Sequence, residues 1–195
     1  PGLGLADARA MHPGLAAFEA DPAGDAALLD GIADWADRWT PLVAEEKADP
    51  ELPVCLPVGL MLDITGCAHL FGGEVTMRHD ILRRLSQQDL RVTAAIADTP
   101  GAAWALARFG KLRIAEPDGA RAALLPLLLA ALRLPVATVA AMGRVGLDRI
   151  ADIADLPRPP LAARFGVRLL TRLDQALGWV AEAISPRRSP PPYLA

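Results

Sequence analysis

The sequence predicts an α/β (α+β) fold, a small mixed sheet covered by helices, with an all-helical region after it. Three observations carry this. Residues 59–65 and 90–97 alternate with the period of a strand. Helix-spaced apolar stretches precede and separate them, giving helix, strand, helix, strand, helix and a short third strand at 112–115. From Pro135 the pattern changes to short helical stretches joined by tight turns.

In chain order, residues 1–13 form a glycine-punctuated entry to a short helix closed by Pro13-Gly14. Asp21-Pro22 opens a longer helix, with the aspartate as cap and proline at the first helical position. Leu28, Ile32, Trp35, Ala36 and Trp39 form its expected buried face, and Thr40-Pro41 stops it. Residues 45–57 are charged, then broken by Pro50, Pro53 and Pro57, which predicts a loop or an irregular edge strand. In the strand at 59–65, Leu60, Leu62 and Ile64 share one face and Met61 and Asp63 the other.

Gly72-Gly73 turns into a helix reaching about residue 88, buried through Met77, Ile81, Leu82 and Leu85. Asp98-Thr99-Pro100 starts another, stopped by Gly110. Residues 120–134 read as one apolar helix, and 136–145, 147–156, 159–165 and 167–178 as four short ones. Residues 187–192 are basic and then proline-rich, an extended linker.

The composition excludes some classes. Half of the residues are apolar, as in a globular chain. No apolar run approaches the roughly 18–20 residues of a membrane span, so no membrane partner is expected, and the expected location is cytoplasmic. Cys55 and Cys67 lack a second pair or histidine spacing for zinc. His12, His69 and His79 are scattered. The net charge of −3 hides an asymmetry: from Arg133 onward nine arginines face five acids, leaving −7 for the rest. The chain lacks an initiator Met and starts mid-pattern, which reads as an excised fragment.

Five stretches, in order, carry a family resemblance. They are Arg38-Trp39-Thr40-Pro41, Leu62-Asp63-Ile64-Thr65-Gly66, Leu70-Phe71-Gly72-Gly73, the run from Ala95 to Pro100, and the region 147–166. Together the chain resembles Y-family (translesion) DNA polymerases, and within them the ImuB subgroup of the bacterial damage-inducible mutasome. The resemblance implies a ferredoxin-like polymerase palm followed by a helix-hairpin-helix thumb. Residues 1–20 would be the end of the fingers, 21–132 the palm, 133–179 the thumb, and 180–195 a linker towards a little finger.

Two losses within the resemblance bear on activity. Active relatives carry an Asp-Glu pair at the positions of Val58 and Gly59, and neither residue offers a side-chain oxygen. Two-metal phosphoryl transfer needs converging carboxylates to hold Mg²⁺. Asp63 cannot substitute, because five residues along a strand is roughly 16 Å and odd spacing puts it on the other face; satisfying nearby backbone donors is its expected role. The relatives' phosphate-binding lysines fall on Pro100 and Trp104. No catalytic residue and no cofactor is therefore expected, with Mg²⁺ only under the alternative of an active polymerase that recruits Glu45, Glu46 or Glu51.

The thumb-like region retains features for gripping a DNA backbone without reading sequence: Gly146 and Gly166 at hairpins, with Arg149, Arg164 and Arg168 beside them. The resemblance implies a non-catalytic adaptor. Its partners would be DNA, a DnaE-type error-prone polymerase, a RecA-like protein and the sliding clamp, met largely outside these residues. A helix-hairpin-helix DNA-binding protein without polymerase ancestry is a further alternative.

Overall fold

The computed structural model describes residues 3–46, 49–52 and 58–187. It is mixed α/β, with helices dominating a small antiparallel sheet of two strands. The basic-proline stretch and Cys55 lie largely or wholly outside the described residues.

Helix α1 (Leu5–Met11) buries none of its residues. Helix α2 (Pro22–Ala36) starts as its sequence dictates, with Asp21 Oδ1 accepting from the Gly24 amide at 2.9 Å. Its buried face is narrower than expected: Ala33, Ala36 and the following Trp39 are buried, whereas Leu28 is 52% exposed. Only the C-terminal half of α2 reaches the sheet, and among the described residues nothing covers the N-terminal half. Trp39 donates its indole N–H to Asp80 at 3.1 Å and packs edge-on against Trp35.

Strand β1 (Val43–Glu45) pairs antiparallel with β2 (Leu60–Leu62), with Val43 opposite Leu62 and Glu45 opposite Leu60. The sheet is smaller than the alternation predicts. β1 runs into the first residue of the region read as a loop, β2 is the first half of the expected 59–65, and 90–97 with 112–115 contribute one isolated parallel bridge, Ile96 to Ile114. A ladder needs a partner along its length, and Ile96 alone is bonded to the 113–115 segment.

A short 3-10 turn, Ala68–Phe71, leads through Gly72 and Gly73, both at positive φ, into α3 (Glu74–Ser86). α4 (Pro100–Phe109) is capped by the Thr99 hydroxyl, which accepts from the Ala102 amide at 3.0 Å. The long helix expected over 120–134 is divided into α5 (Ala120–Leu124) and a 3-10 turn at Leu129–Leu132, because Pro126 lacks the amide an uninterrupted helix needs. Then follow α6 (Val136–Gly143), α7 (Ala151–Ala154), α8 (Arg158–Phe165) and α9 (Val167–Ala176).

Two apolar clusters form. The smaller joins α2, β1 and α3 through Ala33, Ala36, Trp39, Val43 and Met77. The larger runs from α4 to α9 and is continuous across position 133, with Leu106, Leu129, Ile150, Leu169 and Leu173 fully buried. No helix among the described residues is long and apolar enough to cross a membrane.

Candidate functional site

Val58 and Gly59 lead into β2, and Gly59 O accepts the Glu46 amide at 2.9 Å, extending the β1–β2 register by one step. That bond places the Glu46 side chain beside Gly59. A Cβ built on Gly59 would lie 3.6 Å from Glu46 Oε2 and 3.1 Å from Arg108 Nη2. Glu46 is fully engaged: Oε1 accepts the Trp104 indole N–H at 2.5 Å, and Oε2 accepts from Arg108 Nη2 at 2.5 Å. The Arg108 guanidinium also stacks 4.4 Å from the Trp104 ring, with Arg133 5.8 Å away from the same ring. Trp104 is 1% exposed.

The space beside Gly59 is thus closed by a carboxylate that follows β1 and by a cation and an indole that both come from α4. Burial pushes the Arg108 pKa down, Glu46 opposes that, and nearby Arg133 adds to it. Mg²⁺ fits this arrangement poorly, since Glu46 is already neutralised and a guanidinium stands where a metal's charge would be needed. Among the described residues no group of three or more His, Cys, Asp or Glu side chains is placed to hold a metal ion. The other acids named as substitutes also have cationic partners: Glu45 pairs with Arg187 at 3.2 Å, and Glu51 with Arg168.

Asp63 serves the turn after β2, as expected. Its Oδ1 accepts from the Thr65 amide at 2.9 Å, and hydrogen bonds from Thr65 hold its pKa down. Its carbonyl accepts from the Thr40 hydroxyl at 2.5 Å, tying the strand to the end of the α2 segment. Pro100 opens α4 beside the capping Thr99, whose hydroxyl also donates to Ala176 O at 3.0 Å. A Cβ on Gly101 would lie 3.0 Å from Ala176 Cα. The α4 N-terminus is therefore packed against α9.

The five DNA-directed residues lie on α6 to α9 and their joints. Gly146, at φ 78°, forms the α6–α7 turn, and its amide bonds Gly143 O at 3.0 Å. Gly166, at φ 89°, joins α8 to α9, its amide bonding Ala162 O at 2.9 Å. Arg149 donates to Pro126 O, and its amide, with that of Asp148, is held by Asp152 Oδ2. Arg168 is paired with Asp49 and Glu51. The Asp49 carboxyl is held low, chiefly by the Glu51 amide and then by Arg168. Arg164 is exposed and lies 5.3 Å from the Phe165 ring. Arg144, which the sequence reading passed over, is also exposed at the hairpin.

Two curated relatives match all 195 residues at 47% identity, each named Protein ImuB, from two strains of Caulobacter vibrioides (NA1000 and ATCC 19089). The chain is ImuB-like. It spans 41% of the length of those relatives. No protein-family model and no solved structure matches it.

The Glu46–Arg108–Trp104 cluster is the part of the site that sequence reading missed. Glu46 appeared there only as a spare acid, and its partners lie 58 and 62 residues away. No local spacing signals such a contact.

Proposed function

We propose that this ImuB-like chain is the polymerase-like portion of a non-catalytic adaptor in DNA-damage-induced mutagenesis and translesion repair. The observation that carries the reading is the space beside Val58 and Gly59. It lacks the acids a two-metal site requires, and Glu46, Arg108 and Trp104 fill it with one another. Residues 21–132 correspond in this reading to a palm and 133–179 to a helix-hairpin-helix thumb. The thumb contacts DNA phosphates near Gly146, Arg149, Arg164, Gly166 and Arg168. The error-prone polymerase, the RecA-like protein and the sliding clamp are engaged mainly by the remainder of the polypeptide, in the cytoplasm.

Primer extension by the full-length protein with Mg²⁺ or Mn²⁺ tests this. The expected result is no nucleotide incorporation, in the native protein and in Glu46→Gln alike. Incorporation that disappears in Glu46→Gln would establish the competing reading, an active polymerase with a relocated carboxylate, which the nearness of Glu46 to Gly59 makes specific.

A further inference from the structure

Paired antiparallel strands need only about two to five residues between them, whereas the connection from β1 to β2 runs from 46 to 59. Its residues 49–52 make a turn of their own: Asp49 Oδ1 accepts the Glu51 amide at 2.9 Å, and Asp49 O accepts the Leu52 amide at 3.1 Å. This acidic turn does not stay with the sheet. Glu51 O accepts the amide of Val136, the first residue of α6, at 3.1 Å. The Asp49 and Glu51 carboxylates both accept from the Arg168 guanidinium, through Nη2 and Nη1 respectively.

Arg168 belongs to a cationic face. It lies one turn before Arg172 on α9, so the two share a side of the helix. Arg133 stands beside them and, with Arg172, holds Glu182 at 2.6 and 3.0 Å. Burial lowers the Arg172 pKa and Arg133 and Arg168 add to that, while Glu182 and Asp49 oppose it. Glu182 is 12% exposed and already shared by two cations, so the counter-charge for Arg168 comes from the turn. That contact is wetter. The side chains of Arg168, Asp49 and Glu51 are 36%, 27% and 59% exposed, and pairs of this kind are each worth little. Arg168 offers two parallel N–H donors to oxygen acceptors, the arrangement a guanidinium also makes with phosphate. Across Gly166, Arg164 is exposed, so the cationic surface continues past the α8–α9 joint.

We propose that the acidic turn at 49–51 is a built-in stand-in for nucleic-acid phosphate. With no DNA bound, Asp49 and Glu51 cover Arg168. A DNA backbone displaces them, takes the guanidinium in their place and runs on to Arg164. The apparent affinity for DNA is lowered by the fraction of molecules in which the turn is seated. The inference rests on the DNA-contact reading above and adds what limits access to that surface.

Binding of the full-length protein to a short DNA duplex tests it. Asp49→Asn with Glu51→Gln removes both charges, and the asparagine keeps an acceptor for the residue-51 amide. This double variant is expected to bind about 5- to 30-fold more tightly than the native protein. The same pair of changes in an Arg168→Gln background is expected to give no such gain. Glu19→Gln with Asp25→Asn, which removes two exposed acids far along the sequence, controls for net charge and is expected to change affinity less than about twofold. An equal gain in the control, or a gain that survives Arg168→Gln, would overturn the proposal. Native-level binding by the double variant would overturn it while leaving the DNA reading in place. No DNA binding by any of the proteins would overturn both, and binding of an acidic peptide alone would assign the surface to a protein partner instead.

Discussion

Among single residues, Arg108 and Glu46 show how the space beside a glycine is filled. Gly59 has no side chain, and the space beside it holds an ion pair whose members are 13% and 18% exposed. Pairs this dry are costly to break from one side, because the survivor keeps a buried charge. Arg108→Ala is expected to destabilise the protein by about 3–5 kcal/mol. Glu46→Gln, which keeps an acceptor for the Trp104 indole, should still lose a large part of that. Urea unfolding followed by tryptophan fluorescence checks both, and a change below about 1 kcal/mol for Arg108→Ala would show the pair to be solvated like a surface bridge. Trp104 makes the same point from sequence. Its place in a helix follows from the Thr99-Pro100 start, but its hydrogen bond to Glu46 does not.

For the helices, the contact of α4 with α9 is set by Gly101. The atoms a Cβ would meet there are the backbone of Ala176, at 3.0 and 3.2 Å, and Arg133 Nη2 at 3.2 Å. Backbone cannot rotate aside as a long side chain can. Gly101→Ala is accordingly expected to cost about 1–3 kcal/mol despite alanine's higher helix propensity, by pushing the two helices apart. A thermal melt of the variant measures this, and a raised midpoint would mean that the helices separate freely. The elements also show which signals were reliable. Caps at Asp21 and Thr99 are local chemistry between neighbours in sequence, and both formed as read. Strand extent is different, since it depends on what lies alongside. The 90–97 alternation is a strand pattern reduced to one bridge, and Leu28 fits a helical stripe that has nothing over it.

For the whole molecule, two titration and charge effects are expected. Asp63, Asp80 and Asp152 all sit below the ordinary value of 3.8. Thr65 is the chief cause for Asp63. For Asp80, burial works upward and is outweighed by Arg83, Arg84 and Trp39. The Arg149 and Asp148 amides act on Asp152. Each carboxylate favours the folded state in full above pH 3.8 and loses that contribution as the pH falls through its depressed folded value. The urea midpoint should therefore be insensitive to these groups near neutrality and drop steeply below about pH 4. Asp80→Asn should shallow that drop.

The second effect concerns DNA. Arg168 is already paired with Asp49 and Glu51, whereas Arg144 and Arg164 are exposed. Arg144→Glu and Arg164→Glu in the full-length protein are expected to weaken DNA binding, with the salt slope of log K falling by about 0.9 for each phosphate no longer neutralised. Unchanged affinity and slope would assign this basic surface to a protein partner.

The sequence by itself determined the mixed α/β class, the capped helix starts, part of the buried face of α3 through Met77 and Leu85, and the absence of acids at 58 and 59. Each of these is a property of one stretch and its periodicity. Only the tertiary structure decided that Glu46, Arg108 and Trp104 meet beside Gly59, that Arg168 answers Asp49 and Glu51, and that β2 and 91–97 stand apart across a cavity. Those contacts join residues tens of positions apart, and whether they form depends on how the helices pack over the sheet, which no local pattern encodes.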